Sequence, residues 1–274
     1  MQLLAQGQYF LMDRTLKSIN FFNEEVDEKT ICVYEVFRIE QSTPLFINEH
    51  LARLQNSLIS AGKDIHIQIS RLTRQLKTLY SANNISDGNI KLDYRFTPTG
   101  ESLFMAYFIK SNYPSERIQK DGIVCSFQYA ERTKPGAKIY NALVRNKANA
   151  IIEEDKAYET ILVNKDLGMT EGSRSNLFFI KDNTLITADE TVILPGIMRH
   201  QIIKLANELG IETTFRIVRV DEIEQMDAAF ISGTSPRMLA IRKIDNHALD
   251  TEHPIYKNLR TTLCKHIQQQ LING

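Results

Sequence analysis

A polar stretch, SNYPSERIQK at 111–120, breaks the 274-residue chain unevenly. It contains a proline and shows neither a two-residue nor a 3.6-residue hydrophobic period, so it reads as a linker, placed at 113–120. The length admits one large domain or two modest ones, each with ample core. The break favours two: a smaller N-terminal α/β domain (1–112) and a larger C-terminal one (121–274). No internal repeat or low-complexity tract argues otherwise.

In the first part, QGQYFLM (6–12) and ICVYEVFRI (31–39) are rich in aromatic and β-branched residues and predict strands. Asn48 is placed as the N-cap of a helix that runs through EHLARLQNSLISA and stops at Gly62. Leu51, Leu54, Leu58 and Ala61 recur at helical spacing and face the core; His50, read as structural, and Arg53 share another side. A second amphipathic helix spans 68–82. NIKLDYRFTP and SLFMAYFIK then flank Thr99 and Gly100 as a hairpin, with Arg95 on its first strand.

In the second part GIVCSFQYAE predicts a strand, followed by a helix over 141–153, the strand AYETILVN and the turn KDLG. NLFFI and TLIT form another hairpin. Pro195 and Gly196 introduce a helix from Ile197 to Leu209, which Gly210 closes. IETTFRIVRV predicts a strand, DEIEQMDA a short helix or turn, and AFISGTS a strand ending at Gly233, Thr234 and Ser235. MLAIRKID and a helix near 254–272 finish the chain.

Composition excludes several classes of function. Thirty-three basic residues balance 33 acidic ones without a basic block, which argues against a nucleic-acid surface. The longest apolar runs, such as LFMAYFI, are strand-sized and too short to cross a bilayer. The start, MQLLAQGQYFLMDRT, lacks the pattern of a signal peptide. Cys32, Cys125 and Cys264 are scattered and read as reduced thiols of a cytoplasmic protein. The six histidines show no ligand spacing, so no metal site is expected.

The chemistry concentrates in KIYNALVRNKANAIIEEDKAYETILVNKDLGMTEGSRSN, 138–176. Lys138 stands just ahead of a helix, and Glu171 follows a strand and a turn later. A reactive amine and a carboxylate at fixed separation are what pyridoxal phosphate (PLP) chemistry requires: the amine forms a Schiff base, and the acid keeps the pyridine nitrogen protonated. Lys134, before a proline in a loop, is the competing lysine and reads as solvated.

The segments G-x-K-x-x-N (Gly136, Lys138, Asn141), TEGSRSN and LPGIMR (Leu194 to Arg199), in that order over most of the chain, resemble the class IV aminotransferases. These are PLP enzymes of fold type IV and include branched-chain and D-amino-acid aminotransferases and aminodeoxychorismate lyases. The resemblance implies a two-domain α/β (α+β) enzyme, a homodimer, with PLP joined to Lys138 and its ring nitrogen held by Glu171. Arg53, in EHLARL, then clamps the phosphate through its planar fork. Backbone N–H groups of Ile197 and Met198 and the side chain of Thr234, with Ser235 close by, complete the phosphate grip. Arg95 receives the substrate carboxylate, Tyr140 lies within sequence reach of the same site, and Asn176 orders its turn; Arg174 is assigned no role.

The implied activity moves an amino group between an amino acid and a 2-keto acid. The alternative within the family is a lyase that releases pyruvate and 4-aminobenzoate from aminodeoxychorismate, and a third reading is a non-catalytic relative that binds a phosphate-bearing ligand. One departure stands out. Many members carry F-G-D-G before V-[FY]-E, whereas here Asp27-Glu28-Lys29-Thr30-Ile31-Cys32 precede Val33-Tyr34-Glu35, at the rim of the substrate pocket.

Overall fold

The computed structural model describes residues 5–23 and 25–273. The chain divides into two compact units. The first takes in the described residues up to Asn112, Ala137–Tyr140 and the described residues from Gln269 on, and the second Tyr113–Gly136 and Asn141–Gln268.

The first unit contains β1 (Ala5–Met12), β2 (Thr15–Ser18), β3 (Ile31–Glu40), β4 (Thr43–Pro44), α1 (Ile47–Ser60), α2 (Ile69–Asn83), β5 (Gly88–Phe96) and β6 (Ser102–Ile109). The strands form one sheet in the order β2-β1-β6-β5-β3-β4, antiparallel at every pairing. Alternation sends Val33, Phe37 and Ile39 of β3, Ile90 and Leu92 of β5, and Phe104, Ala106 and Phe108 of β6 to one face. There they pack with Leu51, Leu54 and Leu58 of α1 and Leu72, Leu76 and Leu79 of α2. The opposite face is also covered, by a smaller cluster of Phe10, Phe22, Met105 and Tyr107. Covering both faces explains why β5 is buried at every residue except Lys91.

One local expectation needs adjusting here. Phe46, in the left-handed region at φ 51°, precedes α1, which starts at Ile47, so Asn48 lies inside the first turn and is not its cap. Gly62 does close the helix, at φ 72°, where a Cβ would strain the backbone. The hairpin of β5 and β6 turns at Gly100, φ 92°.

The second unit contains α3 (Glu116–Asp121), β7 (Ile123–Tyr129), α4 (Ala142–Glu154), β8 (Glu159–Val163), β9 (Gly168–Gly172), β10 (Asn176–Lys181), β11 (Thr184–Thr187), α5 (Ile197–Glu208), β12 (Thr213–Phe215), β13 (Val218–Arg219), β14 (Ala228–Gly233), β15 (Arg237–Ile244), β16 (His247–Ala248) and, as far as Gln268, α6 (Pro254–Asn273). The stretch expected as a plain linker therefore holds α3, whose first turn Ser115 caps. IETTFRIVRV is two short strands, β12 and β13, rather than one.

The sheet of this unit runs β12-β11-β10-β14-β15-β7-β8-β9-β13, and β9 also meets β10 through the pairing of Glu171 with Asn176. That extra pairing closes six strands, β10-β14-β15-β7-β8-β9, into a ring. Its filling includes Cys125, Ile161, Phe179, Ile231, Leu239 and Ile241. Among the described residues no helix is long and apolar enough to cross a membrane, and no group of His, Cys, Asp or Glu could hold a metal ion.

Candidate active site

In β3 the row Val33, Glu35, Phe37 and Ile39 points into the helix-covered core, so a carboxylate sits in an apolar row. Glu35 is fully buried, and α1 answers it. Arg53 donates from Nε to Oε2 at 2.8 Å and from Nη2 to Oε1 at 2.7 Å, and His50 Nδ1 lies 3.1 Å from Oε1. Burial alone would raise the Glu35 pKa; the Arg53 charge and these hydrogen bonds override it and hold the carboxyl well below its usual range. Burial also lowers the His50 pKa, outweighing the pull of Glu35, so the ring is neutral and donates through Nδ1. Glu35 occupies the Nε/Nη2 edge of the guanidinium.

Lys138 belongs to this first unit. Residues 138–140 run along the edge of β3: Tyr34 N–H donates to the Lys138 carbonyl at 3.1 Å, Tyr140 N–H to the Cys32 carbonyl at 2.9 Å, and Ile139 pairs with Val33. The Lys138 N–H donates to Ser57 Oγ at 3.0 Å, and the Ser57 hydroxyl donates to the Arg53 carbonyl at 2.9 Å. Lys138 Nζ stands 5.0 Å from the centre of the Tyr34 ring. Tyr140, 45% exposed, packs edge-on to the same ring at 6.4 Å.

The face of β5 turned away from the helices carries Lys91, Asp93 and Arg95. Asp93 Oδ2 accepts from Lys91 Nζ (3.0 Å), Arg95 Nε (3.2 Å) and the Tyr107 hydroxyl (3.2 Å). Burial opposes the Lys91 charge, but Asp93 and Tyr107 win and raise its pKa. Lys91 Nζ also lies 5.3 Å from the Tyr34 ring centre, so two ammonium groups flank one tyrosine. Arg95 Nη1 donates to the carbonyls of Asn23 (3.2 Å) and Glu25 (3.3 Å) and straps the loop before β3. Arg95, the expected substrate residue, is thus engaged by Asp93 and by that loop.

In the second unit Glu171, on β9, is buried. Its Oε1 accepts from Arg132 Nε at 2.6 Å and its Oε2 from the Leu194 N–H at 3.2 Å. The following turn is built on Glu159, itself buried. Oε1 accepts from the Ser173 hydroxyl (2.6 Å) and the Thr160 N–H (2.9 Å); Oε2 accepts from the Ser175 hydroxyl (3.0 Å) and the Arg174 N–H (3.1 Å). The two serines of TEGSRSN are therefore ligands of a buried carboxylate. Asn176 Nδ2 donates to the Leu194 carbonyl at 2.8 Å, and its Oδ1 occupies the space a Cβ on Gly196 would need. Gly196 is required by that close approach, since its own φ, −74°, suits any residue.

Gly196 is the N-cap of α5 and, having no side chain, makes no side-chain cap hydrogen bond to the first turn, which begins at Ile197 and Met198. Thr234 and Ser235 lie in the turn between β14 and β15. Just before them, Ser232, in register with Asn176, has a buried hydroxyl with no hydrogen-bond partner among the described residues. Asn141, the last residue of the lysine motif, caps α4 by accepting the Val144 N–H at 3.1 Å.

The expected site residues fall into two sets. Arg53, Arg95, Lys138 and Tyr140 stand in the first unit, and Glu171, Ile197, Met198, Thr234 and Ser235 in the second. Sequence reasoning missed Glu35, Ser57, Arg132 and Glu159. Glu35 left a signal, a charge inside an alternating apolar strand, and so did Glu159 in AYETILVN. Ser57 left only its spacing of four from Arg53, and Arg132 is one loop arginine among several.

Known proteins share this fold. The family described as amino-transferase class IV matches residues 32–244. The D-alanine aminotransferase of Bacillus licheniformis is 30% identical over 248 residues, 84% of this chain and 86% of that protein. The aminodeoxychorismate lyase of Bacillus subtilis is 26% identical over 230 residues, 78% of each. Among solved structures, the Escherichia coli branched-chain amino acid aminotransferase superposes with a TM-score of 0.84 at 21% identity, over 95% of this chain and 94% of that one, which shows the shared fold.

Proposed function

Because the chain belongs to the class IV aminotransferase family, we propose that it moves an amino group between an amino acid and a 2-keto acid, with PLP held covalently at Lys138. The residues present fit that group. The donors that would hold its phosphate are Arg53 in the first unit and, in the second, the Ile197 and Met198 N–H groups at the start of α5 and Thr234 with Ser235. Glu171 would be the acceptor for the ring N–H, and Arg132 and the Leu194 N–H hold its carboxylate in place. When bound, the cofactor supplies the electron sink for the bond broken at the substrate α-carbon.

The protein's own groups do the rest. Lys138 Nζ would be the base that takes up and returns the proton at the substrate α-carbon. Arg95 and Lys91 give the substrate end of the site a positive balance against Asp93, suited to a carboxylate. The observation that carries the reading is the fixing of the Lys138 backbone to β3 and to α1, one helical turn from Arg53. We read the protein as a homodimer of the cytoplasm, where its three thiols stay reduced.

The lyase reading is favoured by the match to the Bacillus subtilis enzyme over 78% of the chain. The deciding experiment has two arms. Incubation with PLP is expected to give a visible absorbance that borohydride fixes on the Lys138 peptide, and no such adduct would overturn the proposal. D- and L-amino acids are then supplied with 2-oxoglutarate, and aminodeoxychorismate is supplied alone. Acceptor-dependent keto acid supports the transaminase, and pyruvate released without an acceptor the lyase. Light scattering after gel filtration tests the dimer.

A further inference from the structure

PLP presents two handles on one rigid ring, an aldehyde and a phosphate. A protein that grips both must hold its lysine and its phosphate-binding arginine at one fixed separation. In this chain Arg53 and Lys138 are far apart in sequence, yet a single hydroxyl joins their backbones. The Lys138 N–H can only donate, so Ser57 Oγ accepts it at 3.0 Å. The Ser57 proton is thereby directed to the Arg53 carbonyl, 2.9 Å away. Ser57 is fully buried, and water does not compete for either bond.

We propose, building on the reading of Lys138 and Arg53 given above, that Ser57 is the positioning residue that sets the spacing between the amine and the phosphate grip. Two hydrogen bonds with β3, from the Tyr34 N–H and from the Tyr140 N–H, pair Ile139 with Val33 and fix the lysine segment along the strand. Neither of them refers to α1. Ser57 supplies that second reference, on the same helix face as Arg53 and one turn further on. The lysine side chain has four rotatable bonds, so fixing its Cα against the arginine's helix is what turns phosphate binding into delivery of the aldehyde. Ser57 acts through Lys138 and touches neither ring nor substrate.

The test compares PLP with pyridoxal, the same aldehyde without its phosphate. Each is mixed with the protein at a limiting concentration, fixed with borohydride and quantified by mass on the Lys138 peptide. In the parent chain PLP labels far better than pyridoxal, because the phosphate grip concentrates the aldehyde at the amine. Ser57→Ala is expected to cut that ratio by about tenfold while pyridoxal labelling stays within about twofold of the parent. Ser57→Thr keeps the hydroxyl and is expected to keep the ratio.

An unchanged ratio in Ser57→Ala overturns the proposal. So does an equal fall with both aldehydes, which is what a merely structural role would give. Should Ser57→Ala fail to fold, Ser57→Cys carries the same test, because its thiol is a weak acceptor. If the parent chain itself forms no adduct with PLP, the reading of Lys138 fails, and this proposal with it. That result is told apart by the absence of any ratio to compare.

Discussion

Arg53 meets Glu35 edge-on, Nε against Oε2 at 2.8 Å and Nη2 against Oε1 at 2.7 Å, around a carboxylate with no solvent exposure. Two parallel charge-assisted bonds fix the guanidinium plane as well as its place, which one bond to a flexible side chain would not do. Glu35→Ala is expected to destabilise the cofactor-free protein by about 3–5 kcal/mol, since it strands a buried cation. Glu35→Leu combined with Arg53→Met should recover much of that loss. Urea denaturation of the three variants checks both statements.

The same pair predicts an acid limb. The folded Glu35 pKa lies below its unfolded value, so the pair contributes fully above the unfolded pKa, near 4.3. That contribution is lost as pH falls toward the folded value. Lys91 works in the other sense: its folded pKa is raised, so its contribution is complete below about 10.4 and is lost as pH rises through the folded value. Thermal unfolding from pH 7 down to 3 should fall less steeply in Glu35→Gln than in the parent. From pH 9 to 11 it should fall less steeply in Lys91→Met.

Gly196→Ala should leave the fold intact and weaken PLP binding at least about tenfold, or roughly 1.4 kcal/mol. The new methyl group displaces Asn176, which releases the Leu194 carbonyl and disturbs the start of α5. Absorbance titration with PLP gives the dissociation constant. Asn176→Gly in the same background removes the collision, and part of the affinity should return.

Glu159→Gln replaces an acceptor of four hydrogen bonds by a group that must donate with one arm. A loss of about 2–3 kcal/mol is expected, together with a shifted visible absorbance of the PLP-loaded protein, because the displaced turn carries Glu171. Calorimetry and the absorbance spectrum read the two effects separately. A fall in stability without a spectral change would disconnect Glu159 from Glu171.

The strands and helices were legible wherever period and punctuation agreed. The hairpin at Gly100 and the helix between Gly196 and Gly210 are examples, since glycines mark turns and helix ends by backbone conformation or close approach. The start of α1 was not, because Asn48 is a good cap by type while the chain turns earlier, at Phe46. Lys138 and Glu171 stood out through their motifs. The residues that hold them did not, because support of this kind depends on pairing across the fold: Ser57 with Lys138, and Glu159 with Ser173 and Ser175. An arginine such as Arg132 carries no local mark of the carboxylate it meets 39 positions on.

Residues 137–140 are packed with the first unit, although the chain on either side of them is not. Cutting or grafting at Asn112 would therefore not yield a self-sufficient module. The excised piece would lose its added edge strand and the reactive amine together, leaving the Tyr34 N–H and the Cys32 carbonyl with open valences. A chimera that swaps specificity by exchanging the N-terminal part must carry this four-residue patch across with it, as a second, discontinuous splice.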